Sequence, residues 1–291
     1  MKDVSIIIVN YNTAAEIKLC INSIIEKTQD LSYEIIVVDN NSLQRDIELV
    51  CLQFPGIHII WNKENEGFGK ACNKACEIAS GDFLFFLNPD TIIKNNAVKI
   101  FHNFWKKYQE ELSISCLGAV LQDANGEDIH SFESFPKMTL SLTSKCRSLL
   151  SHFMLQKHPG VVKKWDQQNA YCSVAYITGA DLFISKANFE LANGFDKDFF
   201  MYFEETDLQY RLHQQNRQSY LISGPQIVHH QGLSTAQNIA RRRVLYSDSM
   251  LLYFKKHSSP VPFLLFKMAW LVLDFRTLLQ KKFLVLKHKT L

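Results

Sequence analysis

The chain of 291 residues has the length of one large domain, or of one domain with an appended segment, and its 47% hydrophobic and 12% aromatic content argues against disorder. With 32 basic and 29 acidic residues, the formal net charge is only +3, so global electrostatics give no case for a nucleic-acid partner. The seven cysteines are odd in number and lack a framework spacing, which is typical of reduced thiols in a cytosolic protein.

Strands and helices alternate in the first third of the chain. Apolar, β-branched runs predict strands at 4–9, 34–38, 57–61 and 82–87. Helical spacing predicts helices at 14–27 (with Ile17, Cys20, Ile21, Ile24 and Ile25 on one face), 45–54 and 69–80. Strands that are apolar on both faces and alternate with helices indicate a parallel α/β sheet, whose ligands bind at the carboxyl ends of the strands.

Polar side chains follow three of these four predicted strands. They are Asn10-Tyr11-Asn12, Asp39-Asn40-Asn41 and Asn88-Pro89-Asp90. Repeated amide and carboxylate chemistry at one edge of a sheet indicates a ligand site. Pro89 cannot donate to a strand ladder, so the strand ends there and presents Asp90. That carboxylate could hold a divalent cation that binds a diphosphate, or it could cap a following helix.

Glycines and a histidine supply two further candidates. Gly67 and Gly69 open a predicted helix, where bare backbone could approach a phosphate, although their spacing fits neither standard glycine-loop motif. His229 follows the strand-like Ile227-Val228, where a neutral imidazole could complete a metal site or could be structural.

The densest acidic cluster is Glu204, Glu205 and Asp207, directly after the aromatic run 199–203. A carboxylate beside aromatic walls could act as the general base for a sugar hydroxyl. Acids in the first turn of a helix are also favoured by the helix macrodipole, which would explain one or two of the three.

The rest of the second half is less regular. Residues 121–170 contain turn-forming pairs such as Asn125-Gly126 and predict loops with short helices, before order returns at 175–177 with a turn at 178–181. Pro260–Leu273 is apolar apart from Lys267, and basic residues follow it. This tail could lie on an anionic membrane surface, or pack as an ordinary helix on the domain or in a dimer. No uncharged apolar run reaches about 18 residues, so we expect neither an export signal nor a membrane-spanning helix.

Taken together, these segments resemble family 2 glycosyltransferases, which have the GT-A fold, and within them the rhamnosyltransferase-like branch. The matching stretches run in family order across residues 4–235: Ser5–Thr13, Val37–Ser42, Asn65–Asn73, Phe86–Asp90, Ile177–Ala180, Gly194–Leu208 and Val228–Thr235. The resemblance implies a mostly parallel, Rossmann-like sheet flanked by helices. Residues 258–291 lie outside it, and there we expect a helical C-terminal extension.

The resemblance also implies residue roles. Donor-binding positions fall on Asn10, Tyr11, Asn12, Asp39, Asn40, Gly67, Asn73, Asn88 and Asp90. Asp39 would recognise the pyrimidine, and the catalytic base falls on Glu205, where the family more often has Asp. Asp90 and His229, with His230 as the alternative, would bind Mg²⁺ or Mn²⁺; Asn88 replaces the first acid of the common metal motif.

The implied enzyme is an inverting, metal-dependent glycosyltransferase of polysaccharide synthesis. Its donor would be dTDP-rhamnose or a UDP-sugar, and its acceptor a saccharide, lipid-linked by expectation. We expect residues 1–120 to form the nucleotide-sugar half, 121–257 the acceptor half and 258–291 an amphipathic tail, in a cytoplasmic protein peripheral on the inner membrane face. A nucleotidyltransferase or a non-catalytic nucleotide-sugar-binding protein is the alternative, and the oligomeric state stays open.

Overall fold

The protein is described by a computed structural model over residues 2–43, 46–150, 170–230 and 239–275. In chain order its elements are β1 (Lys2–Asn10), α1 (Ala14–Lys27), β2 (Tyr33–Asp39), α2 (Asp46–Leu52), β3 (His58–Trp61), α3 (Phe68–Ile78), β4 (Gly81–Leu87), β5 (Thr91–Ile93), α4 (Ala97–Tyr108), β6 (Ile114–Gly118), β7 (Phe132–Glu133), α5 (Met138–Leu150), β8 (Tyr171–Val174), β9 (Tyr176–Ile177), β10 (Asp181–Ser185), α6 (Lys186–Leu191), α7 (Glu204–His213), β11 (Gln218–Ile222), β12 (Ile227–His229), α8 (Ile239–His257) and α9 (Pro260–Leu273).

An eight-stranded mixed sheet in the order β3-β2-β1-β4-β10-β6-β11-β8 forms the centre of the fold. The strands β1 to β4 pair in parallel, as the alternation of buried strands and helices predicts. Strand β10 runs antiparallel to both β4 and β6, so the chain reverses direction in the second half of the sheet. Two small ladders, β5 with β12 and β7 with β9, lie apart from this sheet.

Helices cover both faces of the sheet. Helices α1 and α4 pack on one face, where Ile17, Ile21 and Phe101 are fully buried against the strands. Helices α3, α6 and α7 pack on the other face through residues such as Cys72 and Leu208. Each such side chain contributes about 1.5–3 kcal/mol on burial, so these two layers hold the strand ends in fixed positions.

A third hydrophobic cluster joins the C-terminal helices to the segment before α7. Its buried members are Phe199, Phe203, Met250, Tyr253, Phe254, Phe266 and Trp270. Helix α9 packs on α5 and α8. Buried Asp274, just after α9, accepts a hydrogen bond from the Ser247 hydroxyl at 2.8 Å, and the indole of Trp270 donates to the same hydroxyl at 2.9 Å. One face of α9 is therefore part of the folded domain.

Three details differ from the sequence-based expectations. The proposal that Asp90 caps a helix is wrong, because β5 follows and α4 begins only at Ala97. Ile25, which helical spacing groups with Ile24, is 46% exposed, because it lies about 100° around the helix from the buried Ile24. The region predicted as loops with short helices contains α5, a helix of 13 residues. Among the described residues, no helix has both the length and the apolar character needed to cross a membrane.

Candidate active site

The ends of β1 and β2 form a hydrogen-bonded unit around Asp39. The strand register sets Asn10 beside Asp39, and both are buried. The Asn10 amide donates to Asp39 Oδ1 at 2.6 Å, while Ser42 donates its hydroxyl to Oδ1 at 2.6 Å and its backbone N–H to Oδ2 at 3.1 Å. These bonds fix the carboxylate and leave Oδ2 able to accept one more hydrogen bond.

The neighbours of Asn10 complete this edge. Asn12 adopts a left-handed backbone, with φ of 58°, and its side chain accepts the Leu43 N–H at 2.8 Å. Tyr11 is exposed between them. The turn after β1 is thus tied to the turn after β2, and an aromatic ring stands at the open edge of the pair, where it can contact a ligand.

Asn40 organises the loop that leads into α3. Its amide donates to Asn65 Oδ1 at 2.9 Å and to the Gly67 carbonyl at 3.1 Å, and its side-chain oxygen accepts the Asn62 amide and the Glu66 N–H. Gly67 has φ of 87°, and a Cβ there would lie 2.1 Å from the carbonyl oxygen of Phe200. The backbone of this loop therefore touches the segment that precedes α7.

Asn73 also contacts that segment. Its side-chain oxygen accepts the Phe195 N–H at 3.0 Å and its amide donates to the Phe195 carbonyl at 2.8 Å. Both ends of the amide thus bind protein backbone, which makes Asn73 a positioning residue in the structure. A contact from Asn73 to the donor stays a prediction.

Asp90 and His229 face each other across the small β5–β12 ladder. His229 pairs with Thr91 in this ladder, and the His230 N–H donates to the Asp90 carbonyl at 2.9 Å. As a result His229 Nε2 lies 3.2 Å from Asp90 Oδ1 and 3.4 Å from the Asn88 amide nitrogen. His229 Nδ1 is buried and has no hydrogen-bond partner among the described residues.

This pair fits a divalent cation that a ligand helps to hold. Two atoms that each lie about 2.1 Å from a cation, at neighbouring octahedral positions, are about 3 Å apart, and small divalent cations often take only one or two protein ligands beside phosphates and water. Among the described residues, no group of three His, Cys, Asp or Glu side chains could hold a metal by itself. Asp90 and His229 would therefore need phosphate oxygens to complete the coordination.

Glu204 and Glu205 begin α7 and point to different surroundings. The side chain of Glu205 lies against Gly179, where a Cβ would be 3.6 Å from Glu205 Cγ. Glu204 lies against Gly69 of α3, is buried, and keeps one carboxylate oxygen without a partner in the described parts of the chain. Burial raises the pKa of both carboxyl groups, and Glu205 further raises the pKa of Glu204.

Two aromatic residues in left-handed conformations present this acidic pair. Tyr202 and Phe203 have φ of 69° and 68°, which costs each of them of order 1–3 kcal/mol. Ser249 of α8 donates to the Met201 carbonyl at 2.7 Å, and the Phe203 ring packs on Tyr253 of α8. Helix α8 therefore stabilises the backbone that positions Glu205.

Asp207, the third acid of the cluster, is structural. Its buried carboxylate accepts hydrogen bonds from Arg211 at 2.8 Å and from His257 of α8 at 2.6 Å. Arg211 also donates to the carbonyls of Ala192 and Gly194. These contacts join α7, α8 and the turn after α6, so Asp207 stabilises the packing of these elements.

Two features of the site escaped the sequence reasoning. Asp181 is fully buried, and burial raises its pKa well above the usual range; one oxygen accepts the Ala119 N–H at 2.7 Å. Tyr176 and Tyr246 flank Glu205 closely enough for its carboxylate to raise the pKa of both phenols, although burial is the larger cause. Tyr246 lies outside every motif, and only tertiary packing brings it here.

Comparison with known proteins gives consistent matches. The family described as Glycosyl transferase family 2 matches residues 5–167. Rhamnosyltransferase WbbL of Escherichia coli is 27% identical over 219 residues, which cover 72% of this chain and 76% of that protein. N-acetylglucosaminyl-diphospho-decaprenol L-rhamnosyltransferase of Mycobacterium tuberculosis is 20% identical over 237 residues, covering 77% of this chain and 75% of that protein.

A solved structure extends the likeness to the fold. The crystal structure of GalNAc-T7 with UDP, GalNAc and Mn²⁺ superimposes with a TM-score of 0.62 at 14% identity. The match covers 88% of this chain but only 48% of the GalNAc-T7 chain, so this chain spans about half of that structure.

Proposed function

The chain belongs to glycosyltransferase family 2 and has the GT-A fold, and on that premise we propose that it transfers a sugar, with inversion, from a pyrimidine nucleotide-sugar to a saccharide acceptor. One contact carries the proposal. The Asn88 N–H donates to the Ala180 carbonyl at 3.0 Å, which joins the loop of Asp90 to the turn of Gly179 that supports Glu205. This contact supports the proposal that the Asp90–His229 pair and the proposed base Glu205 serve one site at the end of β4, the strand next to β1.

Asp39 is the proposed recognition group for the pyrimidine. The free hydrogen-bonding capacity at Oδ2 suits an imide N–H, which both uracil and thymine carry. Two relatives are named rhamnosyltransferases, and this supports dTDP-rhamnose as the donor. A UDP-sugar is the second candidate, because the GalNAc-T7 structure with the same fold holds UDP.

The proposed reaction is a single displacement. Glu205 takes the proton of the acceptor hydroxyl as its oxygen bonds to the anomeric carbon. The bond between that carbon and the diphosphate oxygen breaks, and the electron pair leaves with the nucleoside diphosphate. Asp90 and His229 would hold a divalent cation, which supplies positive charge next to the leaving diphosphate.

The first test of this function is donor hydrolysis across a panel of dTDP- and UDP-sugars, with Mg²⁺ or Mn²⁺ and with EDTA. We expect metal-dependent release of one nucleoside diphosphate, which identifies the donor. Absence of both hydrolysis and donor binding across the panel, with acceptor present as well as absent, would contradict the proposal.

For the metal pair, we predict that Asp90→Asn weakens donor binding in Mg²⁺ or Mn²⁺ by at least about tenfold, since a carboxylate ligand becomes a neutral amide. The affinity is measured by titration calorimetry, with the nucleoside diphosphate of the donor that the protein hydrolyses as the ligand. The control is Asp30→Asn. Asp30 is an exposed residue just after α1 that forms a salt bridge with Lys99. If Asp90→Asn keeps the metal-dependent part of the affinity, Asp90 does not bind the cation.

We further propose that the acceptor is lipid-linked and that α9 places the enzyme on the membrane. Residues 1–120 then serve the donor, 121–257 the acceptor, and 258–291 the membrane. One relative is named for a diphospho-decaprenol acceptor. The outer face of α9 supports this: five apolar residues, 51% to 78% exposed, share one helical stripe (Val261, Leu264, Leu265, Met268 and Val272). After Asp274 the sequence contains basic but no acidic residues, which suits anionic headgroups.

This surface predicts a loss of vesicle binding. Changing Leu264, Leu265 and Met268 together to Gln should weaken partition to vesicles that contain anionic lipid by at least about tenfold, because each apolar side chain contributes on the order of 1.5–3 kcal/mol when buried. The control changes the exposed Leu49 and Leu52 of α2 to Gln. Unchanged partition would refute the proposal, and conversion of a wild-type dimer to a monomer would reassign the face to self-association.

A further inference from the structure

Tyr246 of α8 is a half-exposed aromatic residue whose ring contacts Tyr202 and Phe203, the two residues directly before Glu204 and Glu205. Although 50% exposed, it is held in place, with its ring centroid 5.9 Å from that of Tyr202 and 5.1 Å from that of Phe203. Glu205 and Glu133 lie close enough to raise the pKa of its phenol, after burial, which is the larger cause. The ring is thus fixed by the strained residues that precede the base, yet one side of it is open.

Tyr176 and Glu133 lie on the other side of Glu205. Glu133 is opposite Tyr176 in the β7–β9 ladder, so the two side chains project from the same face. The Phe135 ring stacks on Tyr176 at 5.8 Å and fixes its orientation. The carboxylate of Glu205 acts electrostatically on both Tyr176 and Tyr246, and the second carboxylate, Glu133, lies opposite Tyr176 in its ladder.

Gly179 lies directly against Glu205. A Cβ at this position would lie 3.6 Å from Glu205 Cγ, in ordinary van der Waals contact. The combination of a half-exposed aromatic ring and carboxylates suits a sugar, because the apolar face of a pyranose packs on an aromatic ring while its hydroxyls donate to carboxylates.

Arg242 adds a positive charge to the same face of α8. It is four residues before Tyr246, hence one helical turn away and about 6 Å along the axis. Arg242 is exposed and lies close enough to Tyr202 to lower the pKa of that phenol, although burial raises it overall. No carboxylate among the described residues forms a salt bridge with its guanidinium, which stays available for an anion. Guanidinium groups bind phosphate oxygens in a bidentate manner.

We propose that the acceptor is a glycosyl diphosphate whose sugar stacks on Tyr246 beside Glu205 and whose diphosphate binds Arg242. The spacing along α8 supports this, because a phosphate on the anomeric carbon of a sugar over Tyr246 comes within reach of Arg242. The proposal rests on the glycosyltransferase function above and deepens it by naming the acceptor residues. It also assigns α8, which lies beyond the matched family region 5–167, to acceptor recognition.

The test compares two acceptors that differ only in the diphosphate: N-acetylglucosaminyl diphosphate on a short alkyl chain, and the alkyl N-acetylglucosaminide. Arg242→Gln should raise KM at least tenfold for the diphosphate acceptor and leave KM for the alkyl glycoside within about twofold. Tyr246→Ala should raise KM at least tenfold for both acceptors, and Tyr246→Phe, which keeps the ring, should restore most of that loss. Lys255→Gln, at the other end of α8, is the charge control.

Donor hydrolysis without acceptor separates this proposal from the function on which it rests. Lys255→Gln should hydrolyse the donor at the wild-type rate, and the Arg242 and Tyr246 variants should keep the wild-type affinity for the nucleoside diphosphate, because none of these side chains is placed at the donor. Equal changes for both acceptors in Arg242→Gln, or no change, would overturn the diphosphate contact. Weaker binding of the nucleoside diphosphate by Tyr246→Ala would make Tyr246 structural. Wild-type protein that hydrolyses the donor but uses neither acceptor would refute the acceptor class, whereas absent hydrolysis and transfer would refute the proposed function.

Discussion

Replacement of Glu205 by Gln should lower the rate of sugar transfer by about 10²–10⁴-fold, the usual contribution of a general base. The amide keeps the shape of the side chain against Gly179 but cannot accept the proton of the acceptor hydroxyl. Since Asp39, Asp90 and His229 are unchanged, the dissociation constant of the nucleoside diphosphate should stay within about threefold. Single-turnover transfer assays and calorimetry measure the two quantities separately.

Glu204 offers an adjacent, matched control. Its side chain lies against Gly69 of α3, whereas the Glu205 side chain lies against Gly179, and burial raises the pKa of Glu204 well above the usual range. Glu204→Gln keeps the shape of the side chain and should keep most of the transfer activity, because Glu204 is not the proposed base. An inactive Glu204→Gln together with an active Glu205→Gln would exchange the two roles.

The pH dependence gives a second readout for the same residue. A base acts only when deprotonated, and burial raises the pKa of Glu205 above its ordinary value of 4.5. Transfer should therefore decline as the pH falls through this raised pKa, at a higher pH than an exposed glutamate would allow. The residual activity of Glu205→Gln should lack this decline. A decline at or below the ordinary value would contradict a buried base.

Much of the edge formed by the ends of β1 and β2 could be predicted, because the sequence signals for it lie in neighbouring residues. Apolar runs define β1 and β2, and the polar residues that follow them, Asn10 and Asp39, necessarily meet at one end of a parallel pair. The helix α1 has the predicted bounds for the same reason, since helical spacing and the following break are contained in a few neighbouring residues.

The acidic cluster shows where local information ends. Glu205 and Asp207 have similar chemistry two positions apart, but the pairing of Asp207 depends on His257, fifty positions further along the chain. The strand after Asp90 depends likewise on pairing with β12, far away in sequence, so a helix cap and a strand could not be distinguished. For α9, burial of Phe266 and Trp270 shows that one face packs on the domain, which is one of the two alternatives its composition left open, and membrane contact through the exposed Leu264 and Leu265 stays a prediction.

The second large effect is expected at Gly67, where the loop that leads into α3 touches the segment before α7. Gly67→Ala should lower the free energy of unfolding by about 3 kcal/mol or more, because it adds a Cβ in a glycine-only backbone conformation and against a backbone oxygen. That Cβ would lie 2.1 Å from the Phe200 carbonyl, which also accepts the Phe68 N–H at 3.0 Å. Urea titration of the full chain measures the loss.

Gly126 is a control for a positive φ without a steric contact. Its φ is 83°, but a Cβ there meets no atom within 4 Å. Gly126→Ala should therefore cost only a conformational penalty, roughly 1 kcal/mol. Equal losses in both variants would mean that the contact with Phe200 adds nothing to the cost at Gly67. A much larger loss of unfolding free energy at Gly67, with weaker transfer at permissive temperature, would have a different meaning. It would mean that the contact of Gly67 with Phe200 fixes the loop before α3 relative to the segment that leads to Glu205. In the proposed reaction Glu205 must accept a hydrogen bond from the acceptor hydroxyl while the oxygen of that hydroxyl faces the donor's anomeric carbon. A fixed position of the Gly67 loop relative to the segment before α7 is therefore a condition of the proposed reaction.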